Sequence, residues 1–139
     1  MNNCTFTGRL IKDAEVTKTS NGKTKHLLLI ACDTSFTEKS GERKSTIVKA
    51  IVYGDKKLTA HQSRLLLKGT LVALQAEFVS DRYVKEGVIQ YYQYFHVQAI
   101  EILESEYMIG LRSKKTTEEQ AHETPVNENT ATPEGGNAQ

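Results

Sequence analysis

The chain has 139 residues, is 38% hydrophobic and carries 18 Lys+Arg against 17 Asp+Glu, a net charge of +1. That is enough chain for one domain with its own core and no staples, and the near-balance of charge singles out no partner. The longest apolar run, Leu27 to Cys32, is far too short to span a bilayer, and Met1-Asn2-Asn3-Cys4-Thr5 is no export signal, so a cytoplasmic protein is expected.

Cys4-Thr5-Phe6-Thr7-Gly8-Arg9-Leu10 alternates apolar residues with Thr and predicts a first, half-buried strand. Gly8 inside it marks a bulge or a close backbone approach. The run continues through Lys12-Asp13-Ala14-Glu15-Val16 to Asn21-Gly22, a hairpin signal, and Lys25 to Cys32 follows as the second strand. Asp33 to Lys44 is polar, with Ser40-Gly41 as a turn, and reads as a long mobile hairpin tip. Phe36 in this tip is either anchored back on the sheet or free to stack on a ligand. Cys4 and Cys32 have no metal-ligand spacing and read as reduced core residues.

The third strand, Ser45 to Gly54, alternates two faces. Val48, Ala50 and Val52 suit the interior of a small closed sheet. Ile47, Lys49, Ile51 and Tyr53 fall on the other side, a mixture of apolar, cationic and aromatic groups that fits contact with bases and phosphates, or else a subunit interface or second core layer.

Next comes a helical spacing, with Asp55 as cap, Leu58, Gln62, Leu65 and Leu66 on one side and Gly69 beyond the end, predicting a helix from Lys56 to Lys68. Thr70 to Phe78 returns to strand alternation, with Val72, Leu74, Ala76 and Phe78 inward. A charged hairpin turning at Glu86-Gly87 leads into a fifth strand, Gln90 to Leu103, which carries Tyr91, Tyr92, Tyr94 and His96. Phe6 and Phe78, in register with apolar neighbours, are expected in the core. From about Arg112 no apolar periodicity survives, so the expected organisation is a folded domain over 1–110 and a disordered polar tail over 111–139. The first part holds 15 Lys+Arg and 12 Asp+Glu, the second 3 and 5, so mild positive charge is concentrated in the folded part.

Three strands, a helix and two strands is the order of the OB-fold, an all-β, five-stranded Greek-key barrel with one short helix between strands 3 and 4. The barrel alone does not give function. On Gly8-Arg9-Leu10 with Asp13-Ala14-Glu15-Val16, Asn21-Gly22, Tyr53-Gly54 and Leu67-Lys68-Gly69, the chain over residues 2 to 105 resembles the bacterial single-stranded DNA-binding proteins. The resemblance implies sequence-nonspecific binding of single-stranded DNA in replication, recombination or repair, with bases stacked on Phe36, Tyr53 and Tyr83. Lys49, then Arg9, Lys44, Arg82 and Lys85, are the candidate phosphate contacts. It also implies a homo-oligomer, a tetramer or failing that a dimer. Many members have Trp-His where this chain has Ile47-Val48, and an acidic Pro-Phe tip where it reads Pro133-Glu134-Gly135-Gly136-Asn137-Ala138-Gln139. Recruitment of replication or repair proteins through the tail is therefore left open.

No enzyme, cofactor or metal is expected. His26, His61, His96 and His122 are scattered, with no carboxylate or nucleophile at a telling spacing. The alternative reading is an accessory barrel resembling primosomal replication protein N, acting mainly through protein contacts.

Overall fold

Strands form where side chains alternate most regularly. In a computed structural model, which describes residues 1–54 and 57–122, the elements run β1 (Cys4–Leu10), β2 (Glu15–Lys18), β3 (Thr24–Thr37), β4 (Arg43–Tyr53), α1 (Ala60–Leu65), β5 (Leu71–Lys85), β6 (Val88–Ile102) and α2 (Glu106–His122). The sheet order is β1-β5-β6-β4-β3-β2, and a further β1–β3 pairing closes β1, β5, β6, β4 and β3 into a five-strand barrel. Short β2 pairs with β3 outside that ring.

Closure depends on a glycine. After pairing with β5, β1 swings onto β3 at Arg9↔Ala31 and Leu10↔Ile30. A Cβ on Gly8 would land on the Ala31 carbonyl and come within 2.7 Å of Ile30 Cγ2, so the glycine marks a close crossing of two strands. Inside the ring, Leu10, Leu28, Ile30, Val48, Ala50, Val52, Val72, Leu74 and Val97 pack as one core. Burying a side chain of the larger kind contributes about 1.5–3 kcal/mol. Cys32 is buried and Cys4 half-buried, both free thiols.

The helix is shorter than its sequence pattern. It starts at Ala60, because Thr59 caps it in a reciprocal capping box with Gln62, while Leu58 and Leu66, beyond its two ends, are the residues that enter the core. Asp55 and Lys56, expected as cap and first residue, lie outside the described residues. The β3–β4 tip is also shorter than expected, because pairing resumes at Thr37↔Arg43 and leaves a turn closed by Glu38 N–H to Glu42 O at 2.8 Å. Phe78, expected in the core, is 42% exposed. It sits where β5 leaves the barrel, with its ring tilted on Phe95, whereas Phe6 packs edge-on against the same Phe95 at 4.7 Å.

Helix α2 runs on to His122, past Arg112, where the apolar periodicity of the sequence lapses. Helix α2 is held by Glu104, whose carboxylate accepts from Arg112 Nη1 and Nη2 (3.0 and 2.7 Å), from Arg9 Nη1 (2.6 Å) and from the Leu71 amide (3.2 Å). One buried residue, Ile109, anchors the helix, too sparse a signal for periodicity to show. The remaining tail residues, 123–139, lie outside the described residues.

Two outcomes test this architecture. Gly8→Ala should lower unfolding free energy by about 1–3 kcal/mol, the usual cost of overpacking, measurable by denaturant titration. The bonds from Arg112, set against partial burial, and those from Arg9 and Leu71 hold the Glu104 carboxyl down from 4.5 to about 2. A carboxyl depressed by folding adds stability above its unfolded pKa, which is lost as pH falls through its folded one. Stability should therefore decline from about pH 4.5 towards pH 2, and Glu104→Gln should remove that part of the decline.

Candidate nucleic-acid interface

One outer surface of the barrel is built by β4 and β6, which run parallel where Ala50 faces Phe95 and Ile51 faces His96. On the face that the sequence leaves open between ligand contact, subunit interface and second core layer, Ile51 is fully buried, because Leu27 of β3 and His96 of β6 flank it in register. Its neighbours on that side stay accessible. Ile47 is exposed, and Lys49 and Tyr53 are half-buried.

Around Tyr53 the rings are contiguous. Tyr94 meets it edge-on at 6.3 Å between centroids, His96 at 5.6 Å, and Tyr92 reaches Tyr94 at 5.5 Å. The Lys49 ammonium rests 3.9 Å from the centre of the Tyr92 ring, a cation–π contact of about 0.5–1 kcal/mol at an exposed site. A second cation, Lys57, donates to Val97 O at 2.9 Å and lies 3.4 Å from His96 Nε2. The Tyr94 hydroxyl donates to Asp81 Oδ2 at 3.3 Å. Burial pushes this phenol's pKa above its usual value, and Tyr53 and Asp81 push it the same way. The result is an aromatic surface rimmed by lysines, able to offer π faces to bases and cations to phosphates.

From this surface β5 and β6 continue as an arm, exposed throughout 80–91 and turned by Glu86 and Gly87, both at positive φ (52° and 76°). Register assigns its side chains to faces. The pairs Asp81↔Tyr92, Tyr83↔Gln90 and Lys85↔Val88 share the side of the barrel's ring cluster, and Arg82↔Tyr91 and Val84↔Ile89 take the other. The Tyr83 hydroxyl donates to Gln90 Oε1 at 2.7 Å, as two residues paired on one face would.

The sequence-predicted residues therefore divide. Lys49 and Tyr53 sit in the ring cluster, and Tyr83 and Lys85 extend its face along the arm. Phe36 and Lys44 lie at the β3–β4 tip, at the opposite end of β3 from Lys25, the partner of Tyr53. Phe36 is 73% exposed, so it is free rather than anchored. Arg82 faces away from the cluster. Arg9 is not brought there at all: its guanidinium is engaged by Gly69 O at 2.9 Å and by Glu104. The sequence places Tyr92, Tyr94 and His96 on the fifth strand without giving them a binding role, and it does not single out Lys57. The dense aromatic spacing of β6 was the available signal.

Among the described residues no group of three or more His, Cys, Asp or Glu side chains is placed to hold a metal, and no helix is long and apolar enough to cross a membrane. Comparison with known proteins agrees with the barrel. The chain is 29% identical over 110 residues to single-stranded DNA-binding protein 1 of Streptococcus pyogenes serotype M6, covering 79% of this chain and 82% of that one. It is 31% identical over 88 residues to single-stranded DNA-binding protein 2 of Staphylococcus aureus, covering 63% and 62%. The fold matches a crystal structure of a deletion mutant of the single-stranded DNA binding protein from Thermus aquaticus, with TM-score 0.61 and 20% identity. That match covers 76% of this chain, which spans about half (52%) of the other. The sequence profile of the single-strand binding protein family matches residues 1–103, most of the chain, and the protein belongs to that family.

Proposed function

We propose that the protein binds single-stranded DNA without sequence readout, protecting single strands during replication, recombination or repair. The observation that carries this reading is the contiguous ring cluster in which the accessible rings of Tyr53, Tyr92 and His96 surround the covered ring of Tyr94, with the Lys49 ammonium 3.9 Å from one ring centre. Bases stack on any accessible π face, and each stack contributes about 1–3 kcal/mol whatever the base. Tyr53 and Tyr83 are the stacking platforms on the barrel and arm, and Phe36 takes a base at the β3–β4 tip. Lys49, Lys85 and Lys44 neutralise phosphates beside them. Arg82 reaches only a strand that passes behind the arm, and Arg9 serves the fold. The family relationship supports this reading, since the curated relatives are named for single-stranded DNA binding.

Self-association belongs to the same proposal. Between Cys4 and Gly8, β1 is laddered on one side only, to β5, and an open strand edge is a template for a second copy. Sedimentation of the purified chain gives the number of copies, and a strictly monomeric protein would remove this part of the reading.

Binding should weaken steeply with salt. With about four phosphates neutralised, log affinity falls against log salt with a slope of roughly −3, from about −0.7 per contact on a single strand. Titration with oligo-dT at two salt concentrations reads the slope, and equal affinity for duplex would contradict the mechanism. Alanine at Phe36, Tyr53 or Tyr83 should each cost about 1–3 kcal/mol of binding with little loss of stability. Arg9→Ala should instead lower stability and leave the salt slope unchanged. If all three aromatic variants remain folded and bind as the wild type does, the stacking assignment is wrong.

A further inference from the structure

One side chain joins the barrel surface to the arm without being able to stack on a base itself. Tyr94 is 8% exposed, so its ring faces are covered by protein. Its hydroxyl is polar, however, and a covered hydroxyl costs free energy unless bonded. It donates to Asp81 Oδ2 at 3.3 Å. The three residues come from three places: Asp81 from the root of the arm on β5, Tyr53 from the end of β4, and Tyr94 from β6 between them. The ring adds its own constraint, meeting Tyr53 edge-on at an interplanar angle of 71°.

We propose that Tyr94 is a positioning residue for single-stranded DNA binding: by holding Asp81 through its hydroxyl and Tyr53 through the edge of its ring, it keeps the stacking ring of the barrel and the arm bearing Tyr83 and Lys85 in one fixed relation. This deepens the function proposed above and rests on it. Two platforms grip successive bases well only if their separation is set before the strand arrives, since an arm ordered on binding subtracts its lost freedom from the affinity. The arm needs such a tie, because 80–91 is exposed on both faces and has no core of its own. The bridge also holds the Asp81 carboxylate on a phenol, in a surface otherwise suited to phosphates.

The test is a double-mutant cycle on the full chain with Tyr94→Phe, which keeps the ring and so the packing, and Asp81→Ala. Affinity for oligo-dT is read by quenching of tyrosine fluorescence. Losing a modest hydrogen bond predicts that Tyr94→Phe weakens binding about three- to tenfold in the wild-type background and has no further effect beside Asp81→Ala. The salt slope should not move, because no phosphate contact is lost. Without DNA, amides over 80–93 should exchange faster in Tyr94→Phe while those of Ile51 and Val97 keep their protection. Wild-type affinity in Tyr94→Phe, or an equal loss in both backgrounds, overturns the positioning role. If the wild-type protein does not bind oligo-dT, the function proposed above falls, and the exchange comparison still decides the bridge: unchanged exchange across the arm overturns it.

Discussion

The position of one extra residue in β6 governs which way its aromatic rings point. Pairing with β5 runs Gln75↔Ala99 and then Ala76↔Val97, leaving Gln98 unmatched. Such a bulge reverses the alternation of faces from one side to the other. It allows Ile100 and Ile102 to point into the barrel at one end of β6 while Phe95 and Val97 point inward at the other. Tyr92, Tyr94 and His96 are thereby turned outward to join Tyr53. Lys57 braces the irregularity by donating to Val97 O at 2.9 Å and reaching Gln98 Oε1 at 3.5 Å. Strict alternation back from Ile102 would have put the three rings in the core, where their polar groups would lack partners.

A second constraint lies at the other end of the barrel. Glu104 gathers Arg9 from β1, the Leu71 amide from β5 and Arg112 from α2, joining the first strand to the final helix. Its carboxylate is 12% exposed, and a charge so covered is tolerated because four donors surround it. Recruiting Arg9 to this cluster keeps it away from the ring cluster around Tyr53. Sequence pattern puts Arg9 and Lys49 in the same chemical class, but the fold ties one to a carboxylate and sets the other over the Tyr92 ring.

Much of the fold was readable along the chain. The inward residues Val48, Ala50, Val52, Val72, Leu74 and Ala76 are all buried, since strands of a small barrel alternate too strictly to hide. Gly8 announced a close approach, and Glu86-Gly87 a turn. Less readable was anything set by partners distant in sequence. The side of β4 that holds Ile51 stayed ambiguous because the residues covering Ile51, Leu27 and His96, come from other strands. The bulge at Gln98 has no local signature, so the dense tyrosines of β6 could not be assigned a face. Helix α2 hangs on an ion cluster and one buried isoleucine, which no periodicity reports. Arg82 and Tyr83 are adjacent in sequence, and only the register shows that they face opposite ways.

One connected surface runs from Lys49 and Tyr53, across Tyr92 and Tyr94, and out along the arm to Tyr83 and Lys85. Chemical-shift mapping of the isotopically labelled protein during titration with oligo-dT tests it most directly. The largest shifts are predicted at those residues and at Phe36, with small ones around Thr7, Ala73 and Glu101 on the outer side of the β1–β5–β6 sheet. Shifts centred on that sheet, with Tyr53 and Tyr83 unmoved, would contradict the account.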